Sequence, residues 1–264
     1  MYEFNVHRPA SLADAVSALQ GADDGKFMAG GQTLIPTLKQ RLASPSDVVD
    51  LSNVAELTGV SDEGGSIKIG AMTTHAEVAS SDVVKSGIPA LAALASHIGD
   101  PQVRNRGTIG GSIANADPAA DYPAAIVGLN ATVHTNQRTI AADDFFTGMF
   151  ETALKDDELI TAVSFPKPSK AGYVKFPNPA SRYAIVGVMV VQTGGETRVA
   201  VTGAAPSVFR SADAESALGA DFSADALSNL SVASDDFNND LHASADYRAH
   251  LVGVMAKRAV SVAS

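Results

Sequence analysis

The chain of 264 residues carries 19 Lys and Arg against 29 Asp and Glu, a formal net charge of −10, with 45% hydrophobic and 18% charged residues. Such a length suits two domains or one large one, and the composition is that of an ordinary globular protein rather than a disordered one. The acidic balance, with no basic run to follow a phosphate backbone, argues against nucleic acid as a partner, and the absence of cysteine excludes disulfides, thiolate-held iron–sulfur clusters or zinc, and a cysteine-linked flavin.

The opening MYEFNVHRP lacks the basic and then apolar regions of a secretory signal. The longest apolar run, Ala184 to Val191, is far shorter than the roughly 18–20 residues that cross a bilayer. A cytoplasmic protein is the expectation.

In chain order, Tyr2, Phe4 and Val6 alternate as in a short strand, and Ser11 is placed to cap a helix with Leu12, Ala15, Val16 and Leu19 on one face. Lys26 to Ala29 reads as a strand running into Gly30-Gly31. A second helix follows with Pro36 in its first turn and Leu34, Leu38 and Leu42 four apart. Val48 to Leu51 and Ser66 to Gly70 read as strands, and Thr74 with Glu77 forms a capping box. Pro89 opens a helix over 90–98 that stops at Gly99-Asp100-Pro101. The segment 104–112 looks the least regular in the chain. A short helix is expected from Pro123 to Gly128, strands around 131–135 and 159–165, and a linker over 166–172, where Pro, Ser and Gly accumulate. Strands over 184–192 and 197–201 and helices near 212–218, 224–227 and 246–262 complete the chain, the last with Tyr247, Leu251, Val254 and Met255 on one face.

Two segments stand out chemically. In Ala29-Gly30-Gly31-Gln32-Thr33 a glycine pair between strand and helix lets the backbone approach a ligand, and the following helix start offers free N–H groups to an anion. Thr108-Ile109-Gly110-Gly111-Ser112, extended by Asn115 and Asp117, has the same character. Each alone reads more readily as a tight turn without a ligand; together they suggest a diphosphate held between two lobes. Neither has the G-x-G-x-x-G spacing, which disfavours a Rossmann nucleotide domain. The six histidines form no metal-binding cluster, His97 reads as a helix-terminal packing residue or a ligand neighbour, and Asp117 and Asp121 read as caps, sugar-hydroxyl acceptors or acid–base groups. No serine sits in a nucleophile elbow.

The unbroken string from Ile98 to Ala125, IGDPQVRNRGTIGGSIANADPAADYPAA, resembles the FAD-binding medium subunit of molybdenum hydroxylases, the family of aerobic carbon monoxide dehydrogenase and xanthine dehydrogenase. The first loop, Ala29 to Thr33, matches that family's other flavin motif, and the segments at 73–77, 182–184 and 245–259 extend the likeness over nearly the whole chain. Gln32 and Thr33 stand where histidine and serine are frequent, and Ser112 where an acidic or amide residue is common; one lost ordinary hydrogen bond is worth about 1 kcal/mol.

The resemblance implies an α+β architecture: a two-lobed FAD-binding domain of the vanillyl-alcohol-oxidase/PCMH type over 1–166 (lobes about 1–55 and 56–166), followed by a small antiparallel sheet with helices over 172–264. It further implies non-covalent FAD, with the backbone of Ala29, Gly30, Gly31, Gln32 and Thr33 and of Thr108, Ile109, Gly110, Gly111 and Ser112 on the pyrophosphate. Asp121 would lie near the ribityl and Tyr183 against the isoalloxazine, although a packing tyrosine reads equally well there. No residue is expected to act as a catalytic acid or base. Iron–sulfur clusters and molybdopterin would belong to a small and a large partner subunit. The flavin would relay electrons to a quinone, dioxygen or NAD in a heterotrimer of the carbon monoxide dehydrogenase type. A dimer of such heterotrimers, and contact with a membrane surface through a quinone acceptor, also fall within the resemblance. The alternatives are a stand-alone flavin oxidase and a non-catalytic assembly subunit that has lost FAD.

Overall fold

Local sequence signals set the first lobe. In a computed structural model describing residues 1–264, β1 (Asn5–His7), α1 (Leu12–Gln20), β2 (Gly25–Met28), α2 (Leu34–Lys39) and β3 (Asp47–Asp50) follow one another. The strands form a parallel sheet in the order β1-β3-β2. Ser11 accepts the Asp14 N–H at 3.1 Å and so starts α1, whose Ala15 and Leu19 pack with Val49, Leu51 and Leu57. The helix expected to reach Leu42 stops at Lys39, because Arg41 takes a left-handed backbone (φ 59°) and turns Leu42 into solvent, 74% exposed.

The second lobe runs through β4 (Val60–Asp62), β5 (Ser66–Gly70), α3 (His75–Ser80), α4 (Asp82–Gly87), α5 (Pro89–Ser96), α6 (Pro101–Arg104), α7 (Ile109–Asn115) and α8 (Tyr122–Gly128). It continues through β6 (Thr132–Thr135), β7 (Thr139–Ala141), α9 (Ala142–Phe145), β8 (Phe146–Gly148), β9 (Glu151–Thr152) and β10 (Ile160–Pro166). An antiparallel sheet in the order β4-β5-β10-β6-β7 carries it. Alternation in β5 turns Ile67 and Ile69 inward, both fully buried. Thr74 and Glu77 close the capping box at the start of α3, the Thr74 N–H donating to Glu77 Oε2 at 2.8 Å. The segment over 104–112, expected to be irregular, joins two short helices, taking in the end of α6 and the start of α7. Asp100 caps α6 through the Val103 N–H, and Thr108 caps α7 through the Gly111 N–H.

A third unit holds β11 (Lys170–Pro177), β12 (Ala184–Thr193), β13 (Glu196–Thr202) and β14 (Phe209–Arg210) as an antiparallel sheet in chain order, with α10 (Ala212–Ala220) and α11 (Ala245–Val262) against it. The expected linker is mostly strand: β10 ends at Pro166 and β11 begins at Lys170, leaving three residues between them. Composition misled here, since Gly172 serves close packing; a Cβ there would lie 2.1 Å from the Ala259 carbonyl oxygen. On α11, Arg248 rather than Tyr247 is buried, its guanidinium taking the Asp240 carboxylate and the carbonyls of Ile185 and Gly203.

The largest core gathers Ile67, Leu91, Ile113 and Ile126 of the second lobe with Tyr173, Met189 and Ala200 of the third unit. Each fully buried aliphatic side chain contributes about 1.5–3 kcal/mol, so the third unit is packed on the second lobe as part of one core. No helix is long and apolar enough to cross a membrane.

Candidate functional site

A cavity of about 660 Å³ lies where the first and second lobes meet, edged by the Ser181–Tyr183 loop of the third unit. Its size falls within the roughly 300–1,000 Å³ of small-molecule and cofactor sites. Ala29, Gly30, Gly31, Gln32 and Thr33 line it from the first lobe, Thr108, Gly110, Gly111, Ser112 and Asp121 from the second, and Tyr183 from the third unit. Ile109, grouped with these from its motif, is instead fully buried in the main core.

The two glycine loops, distant in sequence, touch in space. A Cβ on Gly111 would lie 3.2 Å from the Ala29 Cβ, and one on Gly30 would fall 2.0 Å from the Arg106 carbonyl oxygen and 2.9 Å from the Gly107 Cα. Glycine is therefore required at position 30 by close backbone approach. Gly31 adds a left-handed backbone (φ 72°) that side chains rarely adopt.

The loops differ in what they offer a ligand. The N–H groups of Gly30, Gly31, Gln32 and Thr33 donate to no acceptor in the chain. On the second loop Ile109 N–H donates to Thr73 O at 3.1 Å, Gly110 N–H to Ala71 O at 2.9 Å and Gly111 N–H to Thr108 Oγ1 at 3.1 Å. Successive free N–H groups in a glycine turn make an anion-binding concavity, so the first loop supplies donors. The second supplies small residues that let a ligand approach, together with the Ser112 hydroxyl on the cavity wall. Two loops packed so closely that glycine is needed at their contact, beside unpartnered N–H donors on the wall of a cofactor-sized cavity, suit a diphosphate, and the residues present fit FAD.

Asp121 touches the cavity but its carboxylate is already engaged. Tyr173 donates its hydroxyl to Oδ1 at 2.5 Å and Lys175 Nζ donates to Oδ2 at 2.9 Å, the ion pair being almost wholly buried. Burial pushes the Asp121 pKa up, against the opposing pull of Lys175 and the Tyr173 hydroxyl. Lys175 also donates to the carbonyls of His97 and Arg182 at 3.0 and 2.7 Å. Its ammonium thus ties the loop bearing Tyr183 to the end of α5. His97 is that helix's C-cap, outside the cavity wall.

Tyr183, 44% exposed, follows Arg182, whose backbone is left-handed (φ 64°) and whose guanidinium donates to Gly99 O at 3.1 Å. Burial, with the Asp117 and Asp121 charges beside it, raises the Tyr183 pKa, so its phenol stays protonated. Asp117 also lines the cavity; burial raises its pKa and the Ala119 N–H bonded to it opposes the rise.

Several wall residues carried no signal that singled them out as lining. Met72, Leu154 and Glu158 reach the cavity through tertiary packing alone. His75 lies in a recognisable segment, yet nothing in the sequence shows that the residue is 4% exposed and on the cavity wall. No group of three or more histidine, aspartate or glutamate side chains is placed to hold a metal.

Known proteins resemble this chain over nearly its whole length. The sequence model for the FAD binding domain in molybdopterin dehydrogenase matches residues 2–168, and that for the CO dehydrogenase flavoprotein C-terminal domain matches residues 171–263. The nicotine 6-hydroxylase medium subunit of Paenarthrobacter nicotinovorans is 40% identical, over 96% of this chain and 94% of its own. Among solved structures, carbon monoxide dehydrogenase from Hydrogenophaga pseudoflava superposes with a TM-score of 0.85 at 36% identity, covering 98% of this chain and 96% of that one. Quinoline 2-oxidoreductase from Pseudomonas putida 86 does so with a TM-score of 0.88 at 30% identity and the same coverage.

Proposed function

The chain belongs to the family of FAD-binding medium subunits of molybdenum hydroxylases, and from that premise we propose that it is the electron-relay station of a heterotrimer, set between a partner's iron–sulfur clusters and an external acceptor. It is a flavoprotein component of an oxidoreductase. The observation that carries the reading is the meeting of the two glycine loops, with four unpartnered N–H groups on residues Gly30 to Thr33, which line a cavity of cofactor size.

When bound, FAD supplies the exchange between single-electron and paired-electron transfer. This chain's residues place the cofactor. Gly30, Gly31, Gln32 and Thr33 would hold the pyrophosphate through their N–H groups, Gly110 and Gly111 would admit it, and the Ser112 hydroxyl would add a contact. Asp121 would act by fixing Lys175, and through it the loop that carries Tyr183 against the cofactor, rather than by touching the ribityl itself. The FAD-binding unit would comprise residues 1–166, with lobes over 1–55 and 56–166, and residues 172–264 would brace it.

The assembly is of the carbon monoxide dehydrogenase type in build, and its substrate is chosen at the large subunit's molybdenum. Relatives named for nicotine, carbon monoxide and quinoline resemble this chain at 40%, 36% and 30% identity, so the medium subunit does not discriminate among them. The electrons would leave to a quinone, dioxygen or NAD.

The test is acceptor reduction by the purified complex. Substrate-driven reduction of an artificial acceptor that draws on the clusters should survive in a Gly30→Ala complex, while reduction of the physiological acceptor is lost. Equal loss of both, or of neither, would contradict the relay role.

A further inference from the structure

His75 is a buried histidine with no side-chain hydrogen bond anywhere in the chain. Its backbone N–H donates to Gly107 O at 2.9 Å, but neither ring nitrogen has a partner. Nδ1 is sealed from solvent, whereas Nε2 is not among the sealed orphan atoms, and the residue lines the cavity while only 4% exposed. Buried polar groups are nearly always paired, and one that is not calls for an explanation such as a bound ligand atom.

The ring's setting points to a ligand. A Cβ on Gly107 would lie 2.6 Å from Nε2, and a Cβ on Gly30 would lie 2.9 Å from the Gly107 Cα. The imidazole edge thus lies against residue 107, at the contact of the two loops, with room for it only because that residue is glycine. On its other side the ring faces Tyr122, with centroids 5.4 Å apart, and the Tyr122 hydroxyl is itself sealed and unpartnered.

The tautomer follows from the same facts. A sealed N–H without an acceptor is rarer in proteins than an acceptor with an unused lone pair. The favoured neutral form therefore carries its proton on Nε2 and leaves the lone pair on the sealed Nδ1. Burial, aided by the positive charge of Arg104, lowers the His75 pKa to about 4, so the ring stays neutral near pH 7 and presents one fixed donor to the cavity.

We propose that the Nε2–H of His75 donates a hydrogen bond to an oxygen of the bound flavin dinucleotide, making His75 a cofactor-contacting residue at the seam of the two glycine loops. The inference rests on the FAD reading above. It adds to that reading a neutral side-chain donor beside the backbone donors of the first loop.

The test uses the flavin-stripped full chain, labelled with ¹⁵N-histidine, and FAD as the probe. In the wild type the Nε2–H tautomer of His75 is expected before FAD is added, with a shift of its ring resonances on binding. His75→Leu should weaken FAD binding at least about ten-fold, the scale of one hydrogen bond to a charged group, while His75→Gln, which keeps an N–H near the Nε2 position, should recover most of the loss. If the wild type binds FAD while the His75 resonances stay unmoved, or if His75→Leu binds as tightly as the wild type, the contact is refuted and the FAD reading stands. If the wild type takes up no FAD, both fall. Should His75→Leu not fold, the wild-type spectra alone decide.

Discussion

Lys175 and Asp121 form an ion pair of 2.9 Å in which the side chains are only 7% and 4% exposed, and it joins β11 of the third unit to the start of α8 in the second lobe. The same ammonium holds the His97 and Arg182 carbonyls. One buried cation thereby fastens the loop bearing Tyr183 at the cavity edge. Removing one member of a buried pair strands the other, at a penalty of about 3–5 kcal/mol. Lys175→Met should lower stability by that order in urea unfolding, and Lys175→Met/Asp121→Leu should recover part of it. Additive losses would show that the two side chains act independently.

Gly30 is the strictest glycine of the first loop, since a Cβ would meet backbone at 2.0 Å with no flexible side chain to yield. Gly30→Ala should lower stability by about 1–3 kcal/mol, as overpacking does, and leave the purified protein largely free of flavin. Visible absorbance per chain measures the second effect; wild-type flavin content in the variant would show that the close approach is not needed for binding.

Glu158, on the cavity wall, has a fully buried side chain that accepts Arg138 Nε at 2.9 Å and Nη2 at 3.0 Å, with the Thr135 hydroxyl and the Lys155 N–H completing its partners. The Arg138 bond is the main cause that lowers its pKa from 4.5 to about 2. A depressed carboxylate adds stability above its unfolded pKa and loses it as pH falls through the folded value. The contribution, at most about 3 kcal/mol, should therefore disappear between about pH 4.5 and 2. Glu158→Gln should show a flatter melting-temperature profile across that window than the wild type. Parallel profiles would place the acid sensitivity elsewhere.

His75 predicts a separate window. Its folded pKa near 4 lies below the ordinary histidine value of 6.5, with burial the main cause. The unfolded chain therefore takes up a proton first, and stability falls as pH drops from about 6.5 to 4. His75→Gln should remove that part of the slope while leaving the Glu158 part below it. An unchanged slope in the variant would mean the ring is not held neutral by folding.

How far the sequence could be read differs from element to element. The Ser11 cap, the Thr74–Glu77 box and the alternation in β5 are local, and each appears in the structure as expected. The helix α7 was hidden because Gly110-Gly111 is a poor helix former. It forms through the Thr108 cap and because Gly110 lies against Ala71, where a Cβ would come within 2.6 Å of the Ala71 Cβ. Strand β11 was hidden for a similar reason: its pairing with β12 is long-range, and the Pro and Gly around it mimic a linker. Of the candidate site, the glycine loops were legible as motifs. The division between a donor loop and a loop whose first N–H groups are already bonded to Thr73, Ala71 and Thr108 was not, because those partners are remote or conformational. The ties on Asp121 from Tyr173 and Lys175, more than fifty positions away in sequence, were likewise out of reach.

The most direct measurement is the flavin content and subunit composition of the assembly purified through a tag on this chain and co-expressed with its neighbouring genes. The account predicts one FAD per copy, released intact on denaturation, in a complex with iron–sulfur and molybdopterin subunits. A chain that purifies with those partners but carries no flavin, and takes up none when FAD is added, would contradict it.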